Sequence, residues 1–412
     1  MRILHTSDWH LGRTFHRVDL LPAQERFIGH VAEVVRAEQV DVVLVAGDVY
    51  DRALPGVDAV ALLDDALHRL TAAGASIIMS SGNHDSPRRL GFGSRLLDRS
   101  GVHVRTDPAR AGDPVLLDDR HGPVAFYPLP YLEPALTAHR FGTERTHPAV
   151  LGAAMRAVRA DLSERRGIRS VVAAHAFVTG GTASDSEREL AVGGIGQAPM
   201  ETFDGVSYVG LGHLHGRQRL SERVRYSGSP LAMSFSEARH TKGSWLVTLG
   251  GDGLESAEPI DAPADRPLAT LRGELDELLA DPSLGFAETA YCQVTLTDAH
   301  RPVAPMERLR HRFGHVLELR FEPRAVPGEP EPYAAKLSGR TDLDVCCSFL
   351  GHVRHRPASG AEARLMQEAL EGTLLEEMQR DGRGHDERDL SLMLDLGIDD
   401  QAAAGHAEGQ GA

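Results

Sequence analysis

Five short apolar runs in this chain each end in polar residues suited to binding a metal. In order, the endings read D-x-H, G-D, G-N-H-D, H and G-H-x-H. Arg2–Thr6 runs into Asp8 and His10, Val42–Ala46 into Gly47 and Asp48, and Ser76–Met79 into Gly82, Asn83, His84 and Asp85. Later, Val171–Ala174 ends at His175, and Val206–Leu211 ends at Gly212, His213, Leu214 and His215. Runs this short, bounded by glycine and polar residues, read as buried strands. Donors placed just past the ends of adjacent strands would share one rim of a rigid sheet. That ordered set narrows the fold more than any single motif.

The donor types set the chemistry. Asp8, Asp48 and Asn83 offer oxygen, and His10, His175, His213 and His215 offer imidazole nitrogen. These exceed the roughly four to six ligands that one first-row ion takes, and fit two ions about 3.5–4 Å apart with a shared carboxylate. Asp8 with His10, and His213 with His215, lie two residues apart, so extended backbone would project each pair to one side. The glycines at 47, 82 and 212 allow sharp exits from the strands. Oxygen and imidazole donors without thiolate favour Mn, Fe, Zn or Mg over a soft metal. Two such ions can activate water, clamp a phosphoryl group and stabilise a leaving oxygen.

The ordered motifs closely resemble the signature of the calcineurin-like metallophosphoesterases. Met1–Gly12 (MRILHTSDWHLG), Val45–Asp51 (VAGDVYD) and Tyr226–Leu231 (YSGSPL) resemble the SbcD-type branch, relatives of the Mre-type double-strand-break nucleases. The resemblance is specific over residues 1–260, continues in arrangement to about residue 396, and fails in the Gly/Ala-rich tail. It implies Asp48 as the bridging carboxylate, with Asp8, His10 and His215 completing one metal site and Asn83, His175 and His213 the other. It implies His84 as the catalytic histidine that contacts the scissile phosphate and helps protonate the leaving oxygen. Asp85 stands where a carboxylate would hold that imidazole. Archaeal relatives carry a second histidine where this chain has Asp51, so that histidine's role does not transfer. Asp51 itself reads either as part of the site or as an exposed turn residue before Pro55.

Among the 21 histidines, His5, His16, His30 and His68 read as surface or internally satisfied residues. At 412 residues the chain expects two or three structural units. Met1 opens directly onto an apolar run without a basic leader, and no apolar stretch nears the ~20 residues that cross a bilayer. Cys292, Cys346 and Cys347 are odd in number and lack metal spacing, so a reducing, cytoplasmic setting is expected. The net charge of −15 is uneven: residues 261–412 hold 16 Lys+Arg against 28 Asp+Glu, leaving 28 against 31 in residues 1–260. The N-terminal part is therefore near neutral, and local arginine clusters there can meet phosphates. Lys242 and Lys336 are the only lysines, and guanidinium suits bidentate phosphate contact.

The expected fold class is α/β, two sheets packed together with helices outside. The resemblance makes this a four-layer α/β/β/α sandwich with a smaller α+β capping domain and C-terminal helices. Helical periodicity appears at Pro22–Glu38, Gly56–Ala73 and Pro148–Arg165, and strands at Val115–Leu117, Val124–Tyr127, Val224–Ser227 and Trp245–Leu249. Residues 178–200 form a long Gly/Ser-rich loop beside the motifs. Asp261–Pro267 reads as a linker. A helix (Leu268–Leu279), strand (Tyr291–Thr297), helix (Met306–Phe313) and strand (Val316–Phe321) follow, then a Pro/Glu-rich loop over Pro323–Pro332. Amphipathic helices are expected at Asp342–Arg354 and Ser359–Arg380, with a short stretch at Asp389–Leu396. The domains expected are 1–260 for hydrolysis, 261–340 for capping, 341–397 for docking a partner, and 398–412 as a disordered tail.

The resemblance implies a DNA exonuclease and endonuclease acting on ends and hairpins. Its implied setting is two divalent ions (Mn, with Mg as the other candidate) and a homodimer joined to an SbcC-type SMC-like ATPase in a heterotetramer. A phosphoesterase for small cyclic or nucleotide substrates is the first rival, and a catalytically silent scaffold the second. The extra C-terminal region argues against the former, and the full donor set with His84 against the latter.

Overall fold

A computed structural model describes residues 1–187, 196–263, 266–324, 340–354 and 356–381. The expected Asp389–Leu396 stretch and the 398–412 tail lie outside these, as do parts of the 178–200 loop, the linker and the Pro323–Pro332 segment. Two six-stranded sheets face each other. Across the first, the strands run Gly253–Asp261, Gly243–Gly250, Arg2–Thr6, Val42–Ala46, Ser76–Ser80 and Val102–Arg105. Across the second they run Gln218–Arg219, Val224–Tyr226, Tyr208–Gly212, Arg169–His175, Gly122–Pro128 and Val115–Asp119.

The central strands of each sheet are parallel. In the first, Thr6 lies across from Val45, and Ala46 from Ser80; in the second, Gly212 lies across from His175. Every motif therefore leaves its sheet at the same rim. Alternation along the apolar runs explains why they are buried on both faces. Leu4, Val43, Val45, Ile77 and Met79 face outward into a cluster with Phe27, Val31, Leu63 and Leu70 from the helices Leu21–Ala37 and Val57–Ala72. Ile3, Val42, Leu44, Ala46 and Ile78 face inward and meet Phe126, Val171 and Ala173 of the second sheet. The outer face of that sheet packs under the helices Pro134–Phe141 and His147–Glu164 through Ala138, Val150, Ala154 and Val158. The result is an α/β/β/α sandwich.

The three long helices of the sandwich, Leu21–Ala37, Val57–Ala72 and His147–Glu164, lie within a residue of their expected bounds. The edge strand Gly253–Asp261 and the helix Pro134–Phe141 carried no signal read from the sequence. One assignment is corrected. Leu268–Leu279 is not a single helix: Leu268–Gly273 is a strand, and only Leu275–Ala280 is helical. Ala269 and Leu271 are buried while Thr270 and Arg272 are exposed, a period of two that marks a strand with one face covered. That strand pairs in parallel with Tyr291–Leu296, which pairs in parallel with Val316–Phe321. Leu275, Leu278, Leu309 and Phe313 close a separate core over this small sheet. A second, smaller apolar cluster joins it to the N-terminal part, with Leu268 and Tyr291 packed against Phe15, Leu20, Leu231 and Phe235.

The helices Asp342–Arg354 and Gly360–Asp381 contact each other. The second starts with a reciprocal cap, in which Ser359 N–H donates to Glu362 at 2.8 Å and Glu362 N–H donates to Ser359 Oγ at 3.3 Å. Among the described residues, no apolar core cluster includes either helix, and Phe349, Val353 and Leu365 are exposed.

Candidate metal centre

The loops leaving the rim are held in unusual backbone. Asp8, His10, Asp48 and His213 all have left-handed φ values, 52°, 44°, 50° and 100°. Non-glycine residues reach that region at about 1–3 kcal/mol each and stay only where their surroundings fix them. Here Asp8 N–H donates to Gly47 C=O at 3.0 Å, His10 N–H to Asp48 C=O at 3.0 Å, and His213 N–H to Asp8 Oδ1 at 3.0 Å. The expectation that Asp8/His10 and His213/His215 project together from extended backbone is thus corrected. The pairs lie past the strand ends and converge because the loops cross-link. Gly47 combines a φ of 84° with a position where a Cβ would sit 2.5 Å from His175 Nδ1, and a Cβ on Gly82 would sit 2.1 Å from Asp48 Oδ1. Both are glycines for close approach.

All seven predicted donors are buried, as are His84 and Asp85. His10 Nε2 lies 3.2 Å from His215 Nε2 and 3.5 Å from Asp48 Oδ2. His175 Nε2 lies 3.4 Å from Asp48 Oδ2 and 2.8 Å from Asn83 Oδ1, and His175 Nδ1 lies 4.0 Å from Asp8 Oδ1. Three groups have donor atoms within 4.8 Å of one another: Asp8, His10 and His215; His10, Asp48 and His84; Asp8, Asp48 and His175. His213 joins through its backbone bond to Asp8 and through its ring, whose centroid is 5.4 Å from that of His175.

The donor set fits divalent cations. Ligands bound at about 2.1 Å lie roughly 3.0–3.4 Å apart along a polyhedron edge, close to the separations here. His175 donates from Nδ1 to the Ala46 carbonyl at 3.0 Å. Its neutral ring therefore turns an Nε2 lone pair toward the Asn83 oxygen, an arrangement that needs a second proton or a cation. The electrostatics agree. Burial pushes the Asp8 carboxyl up to about 6, with the Asp48 charge adding to the shift. Burial also opposes ionisation of Asp48, but the His175 and His84 imidazoles outweigh it and hold Asp48 well below the usual carboxylate range. Burial opposes charging of His175, yet Asp48 and Asp8 raise it to about 9. Burial and the His175 charge push His213 well below its ordinary value. Buried acids that retain protons or borrow imidazolium charge are suited to binding cations.

His84 is the least buried imidazole of the group. Its Nδ1 donates to the Asp51 carbonyl at 2.8 Å, its backbone N–H donates to Asp48 Oδ1 at 2.9 Å, and its Nε2 lies 3.9 Å from Asp48 Oδ2. Asp85 does not hold this imidazole, as its position had implied. Its carboxylate accepts the backbone N–H groups of Val49, Tyr50 and Gly82 at 3.1, 2.9 and 2.9 Å. It staples the two loops that carry Asp48 and Asn83, because three converging N–H groups outcompete one ring nitrogen. Asp51 is no exposed turn residue. Its side chain is 14% exposed, 3.4 Å from His10 Nδ1 and 3.0 Å from Arg13; those two groups, against the opposing effect of burial, hold it well below the carboxylate range. The G-D-x-x-D spacing was the available signal. Glu237, Ser186 and Lys242, which back His215, carried no motif. His5 is a satisfied interior residue, between the Tyr208 hydroxyl at 3.0 Å and the Leu211 carbonyl at 3.2 Å.

Comparison with known proteins bears on the same regions. The family model described as calcineurin-like phosphoesterase matches residues 1–217. The SbcD-type model described as the type 5 capsule protein repressor C-terminal domain matches residues 265–354. The chain is similar to TT1561 of Thermus thermophilus, at 14% identity over 63% of this chain and 98% of that one, with a TM-score of 0.37. It is also similar to a dimetal phosphatase from Danio rerio, at 14% identity over 64% and 99%, again with a TM-score of 0.37. Among the described residues no helix is long and apolar enough to cross a membrane.

Proposed function

The chain belongs to the calcineurin-like phosphoesterases, as an SbcD-type member, and from that premise we propose that it is a metal-dependent DNA nuclease working with an SMC-like ATPase. One observation carries the reading from phosphoester to polymer. A cleft of about 670 Å³ lies beside the donor set and is bounded on its far side by the small parallel sheet. Arg13, His16, Asp185 and Ser186 line the near side, and Thr270, Gln293, Glu318 and Arg320 the far side, with Arg13 paired to Asp51 and Arg320 to Glu318. In this reading a phosphodiester strand competes with those carboxylates for the guanidinium groups on both walls, whereas a small substrate needs no second wall.

In this reading Asp8, His10 and His215 hold one ion, Asn83, His175 and His213 the other, and Asp48 both. Two divalent ions, Mn by preference with Mg as the alternative, supply water activation and charge neutralisation at phosphorus. The chain's own residues do the rest. Asp85 fixes the loops that carry Asp48 and Asn83. The Asp51 carbonyl occupies the Nδ1 proton of His84, so Nε2 faces the site, and only the doubly protonated ring can give a proton to the departing sugar oxygen. Residues 1–260 perform hydrolysis, 261–340 cap the cleft, and 341–397 dock the ATPase, with 398–412 a tail. Two copies join two ATPase subunits in the cytoplasm.

The test is elemental analysis of the purified chain together with cleavage of a labelled duplex and a DNA hairpin in Mn, with and without the ATPase. Two ions and cut DNA are expected. Hydrolysis of bis-p-nitrophenyl phosphate without DNA cleavage would return the protein to the small-substrate class, and absence of bound metal would make it a scaffold.

A further inference from the structure

The outward ring nitrogens of the site histidines are not all held alike. His175 and His84 rest theirs on backbone carbonyls of their own rim, Ala46 and Asp51. His215 instead turns Nδ1 to the hydroxyl of Ser186, 2.6 Å away, on a segment outside both sheets. That hydroxyl donates onward to Oε1 of Glu237, whose side chain is wholly buried and lies 3.5 Å from His215 Nδ1, beyond a direct hydrogen bond. The other Glu237 oxygen is paired with Lys242 and accepts Met233 N–H at 3.2 Å. Lys242 also donates to the His215 carbonyl at 2.8 Å and to Ser229 Oγ at 2.9 Å. Glu187 accepts the His215 backbone N–H at 2.7 Å.

A buried Lys–Glu pair is weak support for stability, since desolvation offsets most of its attraction. This one lies behind a single imidazole, and the direction of its hydrogen bonds is determined. Glu237 only accepts, so the Ser186 hydroxyl must donate to it, which leaves the Ser186 oxygen to accept a proton from His215 Nδ1. That assignment puts the lone pair on Nε2, the atom facing His10 Nε2 at 3.2 Å.

We propose that Glu237 is a positioning residue of the metal centre, acting through Ser186 to fix the tautomer and orientation of His215. The inference rests on the reading of His215 as a ligand. A carboxylate at the far end of such a chain makes the imidazole a better donor to its ion, and loss of outer partners of this kind typically weakens metal binding about 10–100-fold. Because Ser186 and Glu237 form this relay with His215 alone among the described site histidines, the effect falls on one ion of the two.

The experiment is Mn(II) titration of the full chain, followed by calorimetry and by electron paramagnetic resonance, for the wild type and for Ser186→Ala, Ser186→Thr and Glu237→Gln. Ser186→Ala and Glu237→Gln are each expected to raise one dissociation constant about 10–100-fold and to leave the other unchanged. Ser186→Thr, which keeps the hydroxyl, is expected to bind as the wild type does, an outcome that a purely structural role would not produce. Should Glu237→Gln fail to fold, Ser186→Ala, which leaves the ion pair intact, carries the test alone. Two wild-type dissociation constants in Ser186→Ala would overturn the inference, and so would a Ser186→Thr chain as weak as Ser186→Ala. A wild-type chain that binds no Mn would instead overturn the assignment of His215 as a ligand.

Discussion

At His84, as at His175, the backbone already occupies Nδ1, so a proton donor and a metal ligand differ only in what Nε2 meets. With Nδ1 committed to Asp51, the ring presents only Nε2 to the donor group, 3.9 Å from Asp48 Oδ2. His84→Ala is therefore expected to keep two ions per chain by elemental analysis while DNA cleavage falls about 10²–10⁴-fold. Loss of an ion in that variant would move His84 into the ligand set. His5 supports the opposite kind of expectation. Burial lowers its pKa to about 3, well under the 6.5 of an unfolded chain, so only the unfolded state takes up this proton as pH falls below 6.5. Its contribution to stability is complete above pH 6.5 and is lost as pH falls toward 3, at about 1.4 kcal/mol per pH unit. Urea unfolding at pH 7 and pH 5 checks this, since His5→Gln should lose less stability over that interval than the wild type. An equal loss in both would show that the ring does not titrate this way. Asp85 and Asp51 mark where motif reading stops at this scale. Proximity in sequence suggested that Asp85 orients His84, but two of the three backbone N–H groups that it meets, those of Val49 and Tyr50, come from the neighbouring strand's exit, which only the folded sheet brings near.

At the scale of elements, the motif-bearing strands and long helices were legible because their patterns are strong and local. Buried parallel strands read as unbroken apolar runs, and the helices show apolar residues three and four apart. Leu268–Gly273 was misread because Leu268, Leu271, Leu275 and Leu278 also fit a helical spacing. Pairing along Tyr291–Leu296 decides for the strand, a contact about 20 residues away in sequence. The C-terminal helices give an element-scale prediction. Their exposed Phe349, Val353 and Leu365 belong to no apolar core among the described residues, and all proposed ligands precede residue 216. Removing residues 357–412 is expected to leave Mn binding and basal cleavage intact and to abolish co-purification with the ATPase subunit. Stoichiometric recovery of the truncated chain with that subunit would return the helix Gly360–Asp381 to a role within its own chain.

For the whole molecule, one pair of linked segments carries four exposed apolar side chains. Leu54, Val57, Phe92 and Leu96 are 60, 85, 86 and 74% exposed, and Arg89 ties their two segments together through the Ala53 carbonyl at 2.9 Å. Clustered exposed apolar side chains commonly mark an association surface. If this face joins two copies, Phe92→Glu shifts sedimentation from dimer to monomer at micromolar concentration without changing metal content. A wild-type chain that sediments as a monomer would remove the face from consideration.

The order of motifs along the chain by itself determined the type of chemistry, the donor residues to examine and the α/β class, because short apolar runs and their polar endings are local properties. Tertiary structure alone decided that the donors meet at all. Asp8, Asp48, His175 and His215 come from four strand exits spread over more than 200 residues, and parallel pairing in two opposed sheets is what turns those exits to one rim. It alone supplied the left-handed backbone at Asp8, His10, Asp48 and His213, which the cross-linking loops enforce against local preference. It alone placed Ser186, Glu237 and Lys242 behind His215, since a hydrogen-bond chain between distant segments leaves no spacing for a sequence to display.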